Sequence, residues 1–291
     1  MQSHRRKDGL AWFVILDEMN QTRVEYYFAD LLSVLESGRD ADGWTREPVR
    51  LVYPDNAEGE LPPVEVYLPP NLYVIGTVNV DETTHAFSPK VLDRAFTLEL
   101  TEADFSAYPS GRTVSISKLG DRERKSLLDN FSFGGRFAQV DKAAIAALVN
   151  SRPEVRPRLQ TLNTQLRRYD LHLGYRVFDE IISFLISADQ NRTFEQINGF
   201  NATFDAAVLM KVLPKFHGSR GRLEAPLKAL LAWCVDPDAP AEDQISTALQ
   251  NVQSDTVRAT LANLSYRYPK TAERAGRMLW ALYTDGFAAF G

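Results

Sequence analysis

A run of seven apolar residues that ends in two adjacent acids constrains the fold of this chain more than any other segment. The run is Leu10 to Leu16 (LAWFVIL), and Asp17 and Glu18 follow it directly. An unbroken apolar run of this length is typical of a strand that is buried on both faces of a parallel sheet. Ligands bind beyond the carboxyl ends of such strands in open α/β folds. We therefore expect an α/β layer, in which the two acids are either a site at the sheet edge or a helix N-cap with a solvated partner.

A second apolar run has the same character. Leu72 to Thr77 (LYVIGT) is followed closely by Asn79, as the first run is followed by Asp17. Between the two runs, apolar residues spaced by three and four from Val24 predict a helix, and alternating residues on either side of Pro54 to Pro63 predict a hairpin with a long tip. If the two strands are neighbours, their polar ends meet at one edge of the sheet.

The pattern changes after the second run. Ser88 followed by Pro89 is typical of a helix start, and this short helix should continue to about Arg94. Phe96 to Leu100 is the last strand candidate, and helical spacing dominates beyond about Glu102. Helices are expected near residues 121–129, 141–150, 153–171, 175–188, 203–213, 222–235, 242–264 and 270–288. The predicted fold class is α/β followed by all-α.

The composition agrees with two folded domains, which we place at residues 1–104 and 105–291. A chain of 291 residues with 44% hydrophobic side chains can build real cores. The one cysteine, Cys234, has no partner for an internal disulfide, and Met1 to Gly9 is too polar for a signal peptide. No apolar run approaches the ~20 residues that a membrane span requires. We expect a cytoplasmic protein that does not enter the membrane.

Two long motifs in this order, FVILDEMNQTRVEYYFADLLSVLESG and VYLPPNLYVIGTVNVDETTHAFSPKVLDRAF, carry a family resemblance. They resemble the AAA+ NTPase module of the McrB-like group, the motor subunits of modification-dependent restriction systems. The resemblance continues more weakly through LHLGYRVFDEIISFL, VLMKVLPKFHGS and YPKTAERAGRMLWAL. It implies the C-terminal part of a AAA+ P-loop NTPase large subdomain, followed by an enlarged helical lid.

The resemblance also implies roles for five residues. Asp17 matches the Walker B acid that organises Mg²⁺ through water beside ATP or GTP, and Glu18 matches the catalytic glutamate. Asn79 matches the sensor 1 residue that orients the attacking water. Arg94 falls where such proteins present an arginine finger to the adjoining subunit, and Arg176 resembles a sensor 2 arginine that reaches the phosphates of its own subunit.

Both arginines have a simpler interpretation. Arg94 could form a surface ion pair with Asp93 or Glu99, a contact worth only ~0–1 kcal/mol. Arg176 could be an ordinary arginine on the surface of a helix. The family pattern also places several arginines just after Arg94, whereas Ala95 follows it in this chain.

One element of the family is missing from the sequence. The phosphate-binding motif G-x-x-x-x-G-K-[ST] is absent, and only 16 residues precede Asp17, too few for the strand, loop and helix that this motif needs. We therefore expect the missing half of the site to lie upstream of Met1. The chain is then either a C-terminal portion of a larger motor or a standalone protein that has lost nucleotide binding.

Two functions follow from these alternatives. In the first, the chain belongs to a ring-forming NTPase that hydrolyses ATP or GTP at subunit interfaces and drives a McrC-like endonuclease that cleaves DNA. This chain alone would then be inactive for lack of a phosphate-binding loop. In the second, it is a catalytically dead scaffold or a DNA-binding adaptor with the same fold. DNA would be contacted indirectly or through a missing N-terminal domain.

Basic residues are the last candidates. The net charge of −5 argues against nonspecific nucleic-acid binding by the whole chain, but residues 101–291 carry 24 basic and 21 acidic side chains. Five arginines in one stretch could track a phosphate backbone or form a solvated helix face: Arg152, Arg156, Arg158, Arg167 and Arg168. A second basic cluster lies in a segment expected to be a loop: Lys211, Lys215, His217, Arg220 and Arg222. The four histidines and the cysteine lack the spacing of a zinc site.

Overall fold

The chain divides into two compact units, each with its own internal contacts. One comprises Met1–Val91 and Leu100–Gln139, which we call the strand unit. The other comprises Leu92–Glu99 and Val140–Gly291, which we call the helical unit. The computed structural model describes residues 11–53, 64–79, 85, 87–100, 120–132 and 141–290. The tip of the predicted hairpin, Pro54 to Pro63, lies outside the described residues.

The strand unit and the segment that follows it contain short strands and helices. In chain order they are β1 (Trp12–Leu16), α1 (Val24–Tyr27), α2 (Ala29–Glu36), β2 (Val49–Arg50), β3 (Glu65–Val66), β4 (Leu72–Gly76), α3 (Pro89–Leu92) and α4 (Asp121–Ser132). The first helical pattern is confirmed, but it is interrupted at Phe28, where the backbone leaves helical geometry. The hairpin is confirmed too, because β2 and β3 pair antiparallel with Val49 opposite Val66.

The two apolar runs pair as expected. β1 and β4 are parallel neighbours, with Trp12 opposite Leu72 and Leu16 opposite Gly76. The predicted burial of β1 is wrong for the described residues, since Trp12 and Phe13 keep 50% and 52% of their surface exposed. The reason is that the described sheet contains only these two strands, which is too little structure to cover both faces.

The helical unit holds most of the buried apolar side chains. Its elements are α5 (Lys142–Ser151), α6 (Val155–Arg167), α7 (Tyr175–Gln190), α8 (Gly199–Lys211), β5 (His217–Ser219), α9 (Arg220–Val235), α10 (Glu242–Ala248), α11 (Val257–Ala262), α12 (Pro269–Thr284) and β6 (Phe287–Ala289). An aromatic cluster lies at its centre, where the rings of Trp233 and Tyr268 stack with centroids 4.7 Å apart. Trp233 Nε1 donates to the Arg158 carbonyl at 3.0 Å, so the buried indole is satisfied.

A buried carboxylate binds the first turn of the last long helix. Asp205 on α8 accepts hydrogen bonds from the backbone N–H groups of Lys270 and Thr271, at 2.8 and 2.9 Å, in the first turn of α12. These amides have no partner within their own helix, so a carboxylate there stabilises the helix end. Burial raises the pKa of Asp205, while the hydrogen bonds from Thr271 and Lys270 act in the opposite direction.

The helical unit departs from the sequence-based expectations in four places. The predicted helix 242–264 is two helices, α10 and α11, joined by a turn. The predicted last helix ends at Thr284, and β6 pairs with β5 in an antiparallel ribbon that the sequence did not reveal. The predicted strand Phe96 to Leu100 forms no ladder with described residues, because Leu92–Glu99 packs on helices instead. No helix in the described residues is long and apolar enough to cross a membrane.

Candidate functional site

The carboxyl ends of β1 and β4 bring polar side chains together in the strand unit. Thr77, directly after β4, lies at the centre of the group: its hydroxyl donates to the Asp17 carboxylate and accepts the Glu18 backbone N–H at 2.9 Å. The parallel ladder continues for one more step, since the Thr77 N–H donates to the Leu16 carbonyl at 2.9 Å. The hydroxyl therefore fixes the direction of the Asp17 carboxylate.

Asn79 and Glu18 contact each other directly. The Asn79 side-chain amide donates to Glu18 Oε1 at 3.2 Å, and the Gln21 amide donates to Glu18 Oε2. Glu18 has a backbone φ of +50°, in the left-handed region that residues other than glycine rarely occupy. Such strain is often found where a side chain is held for a purpose. Two amides and one strained backbone thus orient the Glu18 carboxylate.

The turn after β1 is held by backbone and side-chain contacts. Met19 N–H donates to the Thr77 carbonyl at 2.9 Å, and the buried Asn20 amide donates to the Asn79 carbonyl at 2.7 Å. A Cβ added at Gly76 would lie 1.9 Å from Met19 Sδ, so a larger residue at this position would displace the flexible Met19 side chain. Sequence reasoning overlooked Thr77 and Asn20. The signal for this contact was a glycine inside an apolar strand, which often marks a close backbone approach.

This group offers hard oxygen ligands and hydrogen-bonding amides. The carboxylates of Asp17 and Glu18 are both exposed. The described residues contain no cluster of three or more histidine, cysteine, aspartate or glutamate side chains that could hold a metal alone. Mg²⁺ needs only one or two protein carboxylates, with water and phosphate oxygens completing its shell. Two carboxylates beside amide donors are therefore side chains of the kind that Mg²⁺ takes from a protein.

The two predicted arginines belong to the helical unit, not to this group. Arg94 lies in the segment Leu92–Glu99, and Arg176 is an exposed residue in the first turn of α7. The structure therefore brings together Asp17, Glu18 and Asn79, while the roles of the two arginines stay predictions.

The two acids considered as partners of Arg94, Asp93 and Glu99, have partners of their own. Asp93 forms an ion pair with Lys215, and Glu99 forms one with Arg274, whose Nε lies 2.7 Å from Glu99 Oε2. The surface pairing considered for Arg94 therefore competes with two established ion pairs.

A buried lysine fixes the same segment to the helical unit. The side chain of Lys211 is 0% exposed, and its ammonium donates to the carbonyls of Asp93 and Ala95 at 3.1 and 2.9 Å. It also forms an ion pair with Glu180 on α7 and lies 4.9 Å from the centroid of the Phe96 ring. Burial lowers the pKa of Lys211, and the Glu180 carboxylate acts against that shift. The predicted basic loop is therefore wrong for Lys211, which is buried at the end of α8.

Comparisons with known proteins give a family of unknown function and a partial match to a restriction enzyme subunit. A family model described as a domain of unknown function, DUF8727, matches residues 133–287. The chain is 26% identical over 131 residues to the Type IV methyl-directed restriction enzyme EcoKMcrB subunit of Escherichia coli strain K12. That match covers 40% of this chain and 27% of the relative, so the chain spans about a quarter of the relative's length. No solved structure matches the chain.

Proposed function

We propose that this chain, which belongs to the DUF8727 family of domains of unknown function, is the C-terminal portion of a AAA+ NTPase motor of a McrBC-like restriction system. The observation that carries the proposal is the meeting of Asp17, Glu18 and Asn79 at the ends of two parallel strands. The partial similarity to a restriction enzyme subunit supports it. The AAA+ fold and the hydrolysis of ATP or GTP are parts of the proposal.

Each of these side chains has a chemical task in this proposal. Asp17, held by the Thr77 hydroxyl, orients the water shell of Mg²⁺, which when bound neutralises charge on the phosphates. Glu18 polarises the attacking water and accepts its proton. The Asn79 amide, 3.2 Å from Glu18 Oε1, orients that water beside the carboxylate.

The remaining tasks need other subunits and partners. Arg94 would serve the nucleotide of an adjoining subunit, where an arginine stabilises charge that develops on the transferred phosphoryl group. Arg176 would contact the phosphates in its own subunit. The assembly would be a ring that passes its motion to a McrC-like endonuclease and, through it, to DNA.

The alternative function is a scaffold or DNA-binding adaptor without turnover. The observation that favours it is the lack of G-x-x-x-x-G-K-[ST] in the sequence, because the amides and lysine of that loop supply most of the attraction for phosphates. Two exposed carboxylates alone repel a triphosphate. We therefore expect this chain by itself to show no micromolar binding of Mg-ATP or Mg-GTP in calorimetric titration.

The test of the proposal is Glu18→Gln in the protein as encoded, together with any upstream in-frame sequence that supplies a phosphate-binding loop. Nucleotide binding should persist, while turnover should fall about 10²-fold or more, because the amide cannot accept a proton. Glu47→Gln is the matched control, an exposed carboxylate of the same unit, and should leave turnover unchanged. Turnover that survives Glu18→Gln would contradict the assignment, and a wild-type protein without turnover would favour the scaffold.

A further inference from the structure

A polar cleft lies within the helical unit, where the start of α6, the turn before α8 and Arg267 approach one another. It has a volume of about 340 Å³, and its lining includes three arginines: Arg152, Arg158 and Arg267. Phe200 and Asn201, in the first turn of α8, also line it. We call this feature the arginine cleft. No residue of the proposed hydrolysis site belongs to it.

Arg152 is held in the cleft by aromatic rings and not by an acid. Its guanidinium carbon lies 4.8 Å from the centroid of Phe200 and 5.4 Å from that of Phe194. This contact uses the faces of the rings and leaves the N–H donors of the guanidinium available to a ligand. Glu154 lines the same cleft, yet Arg152 forms no ion pair with a carboxylate of the described residues. Its charge is therefore only weakly balanced.

The other two arginines differ from each other. Arg158 is 8% exposed and holds Asp238 through two hydrogen bonds of 2.9 and 3.0 Å, so its charge is neutralised and it forms the wall of the cleft. Arg267 is exposed, and its charge lowers the pKa of Asp238 only as a lesser effect beside the Arg158 hydrogen bond. Its backbone N–H donates to the Cys234 carbonyl at 2.8 Å, which fixes the position of the residue at the rim.

The start of α8 forms the side of the cleft next to these arginines. Asn198 precedes the helix with a φ of +59°, and its side chain does not cap the first turn. A Cβ at Gly199 would lie 2.0 Å from the Thr193 carbonyl oxygen, so glycine is needed for the close turn that shapes this side of the cleft. The Gly199 N–H donates to the Gln196 carbonyl at 2.9 Å, and Phe200 and Asn201 of the same turn line the cleft. The first turn of a helix favours an anion, and here it lies beside two weakly balanced guanidinium groups.

We propose that the arginine cleft binds a phosphate group, with Arg152 and Arg267 as its charged ligands. Guanidinium groups match the geometry and charge of phosphate oxygens, and the positive end of the α8 helix dipole beside them also favours an anion. The group could belong to a nucleic-acid backbone or to a free phosphate compound, and the chemistry of recognition is the same. The proposal is independent of the hydrolysis site in the strand unit.

The experiment measures binding to the whole chain of two probes. One is a fluorescently labelled single-stranded DNA of about 12 nucleotides, followed by polarisation, and the other is inorganic phosphate, followed by calorimetry. Arg152→Ala and Arg267→Ala should each weaken binding about tenfold or more, since each removes a charge-assisted contact. Arg156→Ala is the matched control, because Arg156 is an exposed arginine of α6 outside the cleft, and it should change affinity less than about twofold. Circular dichroism establishes that each variant is folded, and Arg267, at the rim, provides a variant with little effect on the core.

The outcomes separate the two sources of phosphate from each other and from a wrong proposal. DNA binding that depends on both cleft arginines supports the site and identifies a nucleic-acid backbone as its ligand. In that case the DNA affinity of each variant should depend less steeply on salt than that of the wild type. Binding of inorganic phosphate alone, with the same dependence, supports a site for a free phosphate compound. The proposal is overturned if neither probe binds, or if Arg156→Ala weakens binding as much as the cleft variants do. The net charge of −5 makes general attraction to DNA small, so a specific loss is readily seen.

Discussion

Replacing Lys211 by methionine removes the charge that holds the segment Leu92–Glu99 on the helical unit. Methionine has about the same length as lysine and no charged group, so the substitution deletes polar interactions without leaving a large cavity. It removes two hydrogen bonds, to the carbonyls of Asp93 and Ala95, and the ion pair with Glu180. The variant therefore isolates one polar group whose partners come from two different parts of the unit.

The size of the destabilisation follows from the state of those partners. Removing one member of a buried ion pair costs about 3–5 kcal/mol when the other charge stays buried and uncompensated. Glu180 is 23% exposed, so water can replace part of the interaction. Two carbonyls also lose a donor, at a cost of about 1 kcal/mol each. The lowered pKa of Lys211 shows that its own burial opposes the charged form, and methionine relieves that cost. We expect the free energy of unfolding to fall by about 2–4 kcal/mol.

Urea unfolding of the whole chain, followed by circular dichroism, measures this change. Lys142→Met is the matched control, because Lys142 pairs with Asp179 while 71% of its side chain is exposed, and such a pair contributes only ~0–1 kcal/mol. The double variant Lys211→Met with Glu180→Met should recover part of the stability, giving a coupling energy above about 0.5 kcal/mol. A destabilisation as small as that of the control, or strictly additive effects, would refute the reasoning.

Two further predictions concern the pH dependence of stability. Partial burial acts to raise the pKa of Glu224, but hydrogen bonds from Arg220, Lys228 and Tyr283 outweigh it and lower the pKa to about 2. The lowered pKa of Glu224 contributes about 3 kcal/mol of stability at pH values above 4.5, and this contribution should be lost as the pH falls toward 2. Glu224→Gln should therefore flatten this part of the acid unfolding curve. Burial raises the pKa of Tyr266 to about 12, so stability that is present below pH 10 should fall by about 2–3 kcal/mol as the pH rises through 12. Tyr266→Phe should remove that alkaline loss, and an unchanged alkaline midpoint would contradict it.

The parts of the fold that the sequence predicted are those with local signals. Each apolar run and each helical spacing is a property of consecutive residues, and most of the predicted helices of the second half were confirmed within a few residues. The meeting of Asp17 and Asn79 was also predictable, because polar residues that follow two parallel strands must share a sheet edge.

The parts that the sequence did not predict depend on distant partners. Lys211 was grouped with a basic cluster in an expected loop, whereas the structure buries it, as happens to a lysine almost only when it is paired. Its partner Glu180 is 31 residues away, and the carbonyls of Asp93 and Ala95 are more than 100 residues away. Phe96 to Leu100 has the composition of a strand, yet a strand also needs a neighbour with free backbone groups. In the structure the Thr97 N–H donates to the carbonyl of Met210 on α8 instead.

The division of the chain matters for the proposed reaction. The carboxylates that would handle water lie in the strand unit, whereas Arg94 lies in a segment that the helical unit holds through Lys211 and Arg274. A change in the helical unit can therefore alter the position of Arg94 without disturbing any hydrogen bond of Glu18. Loss of turnover in Lys211→Met with nucleotide affinity retained would then be traced to the arginine, whereas Glu18→Gln acts on the water itself. The two variants therefore separate, within the proposed function, an effect on the position of Arg94 from an effect on the carboxylate that activates water.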